Sequence, residues 1–182
     1  SGHISSVGFQ MYCDLLNLEL KEDRGGKNQQ PVVKTTIPAE IEEQYIEDPS
    51  FRIDYYYRIS CVKTTEEVSN IEKELVEIFG DVPQKTKRLL LFSRVRVLFA
   101  PTPATKVVVQ DGFIEVYLED MGGGLDSFLQ SVALFSHDAL FELKLFSEGQ
   151  NCLKIVLYIS SVDDLFSLLL SFVRLFDGRK LN

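Results

Sequence analysis

Few residues in this chain have the type and spacing to do chemistry. His3 and His137 are the only two histidines and lie far apart in the sequence. A zinc site needs three or four convergent ligands, usually arriving as C-x-x-C or H-E-x-x-H pairs, and neither pair occurs. His137-Asp138 has the residue types of half a hydrolase metal site, but no second His follows, so it reads as a polar turn between a helix and a strand. The stretch GDVPQKT, Gly80 to Thr86, ends like a phosphate-binding loop. It lacks the second Gly, and its spacing is too short for backbone N–H groups to cradle a phosphate. Lys85 and Thr86 then read as residues of a first helical turn. Gly122–Gly124 follows a strand without completing G-x-G-x-x-G, so a flexible turn is expected. No G-x-S-x-G elbow presents a serine nucleophile. Cys13, Cys61 and Cys152 are odd in number and widely spaced, which suits reduced, buried thiols rather than a disulfide framework.

What remains is chemistry of recognition. Glu67, Asn70, Glu74 and Glu77 recur at i, i+3, i+7 and i+10, which places them on one face of a helix. Such a face is either solvated or an acidic strip whose carboxylates take a partner's arginines in charge-assisted pairs. Lys85, Lys87, Arg88, Arg94 and Arg96 form a basic run on the next helix and could contact nucleic acid. Tyr55-Tyr56-Tyr57, close to Arg52 and Arg58, could stack on bases. The overall charge weighs against both nucleic-acid readings. With 27 acidic and 19 basic residues the net charge is −8, a field that repels phosphate backbones.

The elements that must carry these residues follow from periodicity and caps. Val7, Met11, Leu15 and Leu18 predict an opening helix over 7–21. EDRGGKNQQP, ending at Pro31, reads as a linker, and VVKTTIPAEI as an edge strand or strand end, because Pro38 cannot donate to a ladder. Three closely linked helices come next. The first is capped around Asp48 and Ser50. The second has a Thr64/Glu67 capping box, an apolar stripe of Val68, Ile71, Leu75 and Ile78, and Gly80 at its left-handed end. The third is capped by Asp81, with Pro83 in its first turn. A hairpin about Asp111-Gly112, a short helix near Asp126, two strands about Glu148-Gly149 and a helix capped by Ser161 or Asp163 complete the chain. The expected fold is α+β: a mostly antiparallel sheet packed with helices, preceded by an amino-terminal helix. At 182 residues and 45% hydrophobic the chain can bury a substantial core. The apolar run VDDLFSLLLSFVRLF carries two carboxylates and Arg174, so it reads as a core helix and not a membrane span. A soluble, cytoplasmic protein is expected.

One resemblance is specific. The opening SGHISSVGFQMYCDLL resembles the stretch that closes the motor of bacterial transcription-repair coupling factors (Mfd), a motif shared with the RecG helicase. Ser1, Gly2, His3, Ile4, Val7, Gly8, Phe9, Tyr12, Leu15 and Leu16 carry it. Ala39, Ile41, Tyr45, Ile46, Asp48, Arg52, Ile53, Tyr56, Arg58 and Ile59 then resemble a pattern of that family's carboxy-terminal (TRCF) domain. Glu42 stands where the family has Pro, and Tyr57 where it has Lys. Glu74, Leu75, Glu77, Phe79, Gly80, Val82 and Pro83, then Leu89, Leu90, Arg94 and Arg96, extend the likeness to about residue 100.

The resemblance implies a division into the tail of the motor motif with a connecting helix (1–24), a linker (25–31) and a regulatory domain (32–182), with the chain starting inside the motif. The parent would be an ATP-dependent DNA translocase that displaces stalled RNA polymerase and recruits UvrA for nucleotide excision repair. This fragment, without Walker elements, would be no enzyme and bind neither ATP nor Mg²⁺. It would dock on the amino-terminal UvrB-like domain of the same protein, compete with UvrA and restrain the motor. Glu74 and Glu77 fall at the family's contact, with Glu67 and Asn70 beside them. Ser1, Gly2 and His3 would form a loop coupling to the motor. The other reading stays open: an accessory domain contacting nucleic acid through Lys85, Lys87, Arg88, Arg94 and Arg96.

Overall fold

The computed structural model describes residues 30–119, 125–138, 143–147, 152–162 and 165–177. The opening helix, the Ser1–His3 loop, Cys13, the 25–29 part of the linker, Gly122–Gly124, the Glu148-Gly149 turn and Asp163 lie outside them. Backbone contacts divide the chain into two compact units. Among the described residues one unit holds 38–97, and the other holds 30–37 with 98–177.

The first unit is three helices: α1 (Pro49–Cys61), α2 (Thr65–Phe79) and α3 (Gln84–Phe99), whose last two residues belong to the second unit. The caps read from the sequence set the first two. The Asp48 carboxylate accepts from the Ser50 N–H at 2.8 Å, with Pro49 opening the helix. Thr64 Oγ1 accepts from Glu67 N–H at 3.2 Å, while Glu67 Oε2 accepts from the N–H groups of Lys63 (2.7 Å) and Thr64 (3.3 Å). Gly80 ends α2 at φ 84° and ψ −159°, not in the left-handed helical region expected. Nothing lies within 4 Å of a Cβ built there, so the backbone conformation, open to Gly alone, selects the residue. α3 starts two residues later than expected. Pro83 precedes it and its carbonyl accepts from Lys87 N–H at 2.9 Å, so Asp81 is not the cap.

Tyr55, Tyr56 and Ile59 of α1, Val68, Ile71 and Leu75 of α2, and Leu89, Leu90, Phe92 and Val95 of α3 are buried and make this unit's core. Ile78, expected among them, is 61% exposed. At this last turn of α2 it is the next residue, Phe79, that meets α1, through Phe51 and Tyr55. Arg96 sits 2% exposed, and its Nη2 lies 3.1 Å from the carbonyl of Ile59 and 3.0 Å from that of Ser60. It thereby satisfies carbonyls that the end of α1 leaves without helical partners.

The second unit is a five-stranded sheet with two helices. Its strands are β1 (Val32–Thr35), β2 (Ala104–Gln110), β3 (Phe113–Glu119), β4 (Leu143–Ser147) and β5 (Cys152–Tyr158), in the order β1-β2-β3-β5-β4. β1 runs parallel to β2 and every other pairing is antiparallel. β1 is an edge strand, as its Pro38 implied, and stops at Thr35, whose Oγ1 takes the Ile37 N–H at 2.9 Å. β2 and β3 turn through Asp111-Gly112, where Gly112 has φ 87°. Alternate residues of the strands point inward with period two: Val107, Val109, Ile114, Val116, Leu118, Ile155 and Leu157 are fully buried. Helices α4 (Leu125–Asp138) and α5 (Leu165–Asp177) contact each other, with Phe128, Leu169 and Phe172 buried in the core. His137-Asp138 closes α4 rather than forming a turn after it.

Candidate docking site on the first helical hairpin

The acidic strip has to be built from α1 and α2 together. Arg58 of α1 reaches Glu74 of α2 while Phe51, earlier in α1, reaches Phe79, later in α2, so the two helices run antiparallel. Arg58 of α1 meets Glu74 of α2 in a bidentate pair, Nη1–Oε1 2.7 Å and Nη2–Oε2 2.5 Å. The buried Tyr55 hydroxyl donates to the same Oε1 at 2.8 Å, and the Arg58 guanidinium lies over the Tyr55 ring, 4.9 Å from its centroid. Asp54, one turn before Arg58, approaches it to 3.8 Å. Arg58's hydrogen bonds pull the Glu74 carboxyl down to about 2. Burial, reinforced by Glu74, pushes the Tyr55 phenol up to about 12. Glu74 stays ionised, yet its charge is already met from within the unit. Its side chain is 36% exposed.

Below this pair an aromatic group closes the hairpin end. The Phe79 ring has Tyr45 at 5.8 Å, Tyr55 at 5.9 Å and Phe51 at 6.4 Å, at tilted or edge-on angles. The Tyr45 hydroxyl lies 3.0 Å from the carbonyls of both Leu75 and Gly80 and donates to the end of α2.

The four residues of the strip share one face of α2, in different conditions. Glu67 is committed to the capping box and Glu74 to Arg58. Asn70 and Glu77 are exposed. The basic run does not assemble into one face. Lys85 pairs with Glu40 at 2.8 Å and Glu42 at 3.2 Å. Arg94 pairs with Glu72 at 2.5 Å, Arg96 is buried against the end of α1, Arg88 is half-buried, and Lys87 is exposed. Tyr55 and Tyr56 lie in the core and Tyr57 on the surface. Ile41 N–H donates to the Tyr56 hydroxyl at 2.7 Å.

Cys61 and Cys152 are half-buried thiols, less enclosed than expected. Among the described residues no group of three or more His, Cys, Asp or Glu could hold a metal, and no helix is long and apolar enough to cross a membrane. Sequence reasoning missed Arg58 and Tyr45. No local signal pairs residue 58 with residue 74, because the short 62–64 link fixes neither the crossing angle nor the register of the two helices.

Residues 35–122, which include this hairpin, match the family model described as the TRCF domain. The chain is 31% identical over 125 residues to the transcription-repair-coupling factor of Haemophilus influenzae, covering 63% of the chain and 11% of that protein. It is 30% identical over 114 residues to that of Bacillus subtilis, covering 60% of the chain and 10% of the relative. The Escherichia coli protein is 30% identical over 104 residues, covering 53% and 9%. The chain thus spans about a tenth of the length of these relatives. A crystal structure of the C-terminal domain of transcription-repair coupling factor shares the fold, with a TM-score of 0.66 at 15% identity, over 83% of this chain and 98% of that one. The chain carries a TRCF domain and is homologous to the carboxy-terminal region of transcription-repair coupling factors.

Proposed function

We propose that this chain is a regulatory docking domain, without catalysis of its own, in a cytoplasmic transcription-repair coupling factor. The full-length protein would be an ATP-dependent DNA translocase that displaces stalled RNA polymerase and recruits UvrA for nucleotide excision repair. ATP and Mg²⁺ would belong to its motor. In the resting protein the exposed face of α2 would sit on the UvrB-like amino-terminal domain, hide the surface that UvrA takes and restrain the motor. One observation supports this most: Glu77 projects, exposed, from a helix that lies within the TRCF match and carries Glu74 one turn earlier. A carboxylate so placed can take a partner's guanidinium in a charge-assisted pair. A contact that must open needs only modest area and a few kcal/mol of coupling to change the closed state from dominant to rare.

The test is binding of this chain to the isolated UvrB-like domain at low and moderate salt. Binding that weakens with salt and is weakened by Glu77→Lys is the expected result. Binding indifferent to Glu77→Lys would remove the strip from the contact.

A further inference from the structure

The docking face carries more than carboxylates. Tyr55 and Arg58 of α1 meet Glu74 of α2. One turn back along α1 from Tyr55 is Phe51, and one turn on along α2 from Glu74 is Ile78. Because the helices are antiparallel, both steps lead to the same end of the hairpin, where the Phe51 ring also meets Phe79. Phe51 is 55% exposed there, and Ile78 is the most exposed large apolar residue among those described. An aromatic and a branched aliphatic side chain are thus both exposed at this end of the hairpin, where the Phe79 ring also meets the buried Tyr55. Asp54, one turn on from Phe51, and Glu77, next to Ile78, are exposed as well. Two carboxylates, Asp54 and Glu74, adjoin one guanidinium, Arg58, which already holds Glu74, and Glu77 adds a third negative charge on the same helix as Glu74.

We infer that Phe51 and Ile78 are the anchor of the docking surface, and that they fit a partner presenting an apolar side chain flanked by arginine or lysine. This inference rests on the docking reading above and adds where its binding energy lies. Interfaces draw most affinity from a few central apolar and aromatic anchors, while charges at the rim steer encounter and fix orientation. Glu74 fits a rim role poorly as a free acceptor, since a partner's guanidinium would have to displace Arg58 from it. Glu77 and Asp54 supply the steering, and the excess of negative charge selects a basic partner surface over a second copy of this acidic chain.

The experiment measures association and dissociation rates of this chain with the UvrB-like domain at low and high salt. Ile78→Ser and Phe51→Ala should speed dissociation about tenfold or more, equal to about 1.4 kcal/mol, and leave the salt dependence unchanged. Ile78→Val should bind as the wild type does. Glu77→Lys should slow association and flatten the salt dependence. Thermal unfolding of each variant confirms that it is folded. If Glu77→Lys weakens binding and neither apolar variant does, the anchor is overturned and the docking reading stands. If none of the three weakens it, both fall. Self-association of the wild type that Ile78→Ser abolishes would make the occupant a second copy and overturn the assignment of a basic partner.

Discussion

The α1–α2 hairpin and the open side of the sheet both combine cations, aromatic rings and exposed apolar residues, yet they end differently. Across the sheet, Val32, Lys106, Tyr117, Lys154 and Phe146 stand in register on successive strands. The Lys106 ammonium lies 3.7 Å from the Tyr117 ring centroid, and that of Lys154 lies 5.0 Å from Phe146 and 5.9 Å from Tyr117. Glu115 accepts from the Tyr117 hydroxyl at 3.0 Å and lies 4.0 Å from Lys154. Each aromatic ring in this row has a lysine from a neighbouring strand over it, so the row answers its own charges. On the hairpin, Arg58 covers Tyr55 and meets Glu74 in the same way, but one turn further the cover stops and Phe51 and Ile78 stand open. The lesson is one of geometry. A sheet repeats its cross-strand contacts along every rung, whereas a helix turns its neighbouring residues to different sides, so Phe79 meets the other helix and Ile78 beside it does not become buried. An exposed apolar end beside exposed carboxylates is a surface that gains from a partner.

Four substitutions test that contrast, the largest effect first. Arg96→Met should destabilise the helical unit by about 2–4 kcal/mol, because buried carbonyls at the end of α1 lose their donor; chemical denaturation measures it. Replacing Glu74 by Gln should cost about 1 kcal/mol, kept small because the pair is partly open to solvent. Its pH signature is sharper. The folded carboxyl sits near 2, below its unfolded value, so its contribution is complete above about pH 4.5 and is lost as pH falls toward 2. The variant's stability should therefore fall less steeply than the wild type's across that window. Lys106→Met should cost only about 0.5–1 kcal/mol, the scale of an exposed cation–π contact. Ile78→Ser should change stability by less than about 0.5 kcal/mol, because the side chain is mostly solvated already, and its effect should appear in binding alone.

The local rules carried much of this structure. Asp48, the Thr64/Glu67 box and Asp111-Gly112 were legible because each signal lies within a few residues of the geometry it fixes. The period-two burial of β2 and β3 was legible for the same reason. What escaped depends on distant partners. β1 pairs in parallel with β2, a strand more than 60 residues away, and no local signal names that neighbour. The burial of Arg96 depends on where α1 ends. Ile78 satisfies the helical period and is still exposed, because period describes a face and cannot tell whether a neighbour reaches it. In the candidate site the sequence marked the acidic face of α2. It could not show that Glu74 is already held by Arg58, nor that Phe51 stands open opposite Ile78.

The central claim is that this face of α2 occupies a surface UvrA would otherwise take. The most direct measurement is UvrA affinity for the full-length coupling factor, wild type against Glu77→Lys. The account predicts that the variant, its clamp loosened, binds UvrA at least about tenfold more tightly, since tenfold corresponds to about 1.4 kcal/mol of lost closure. Equal affinity for the two proteins, with both folded, would contradict it.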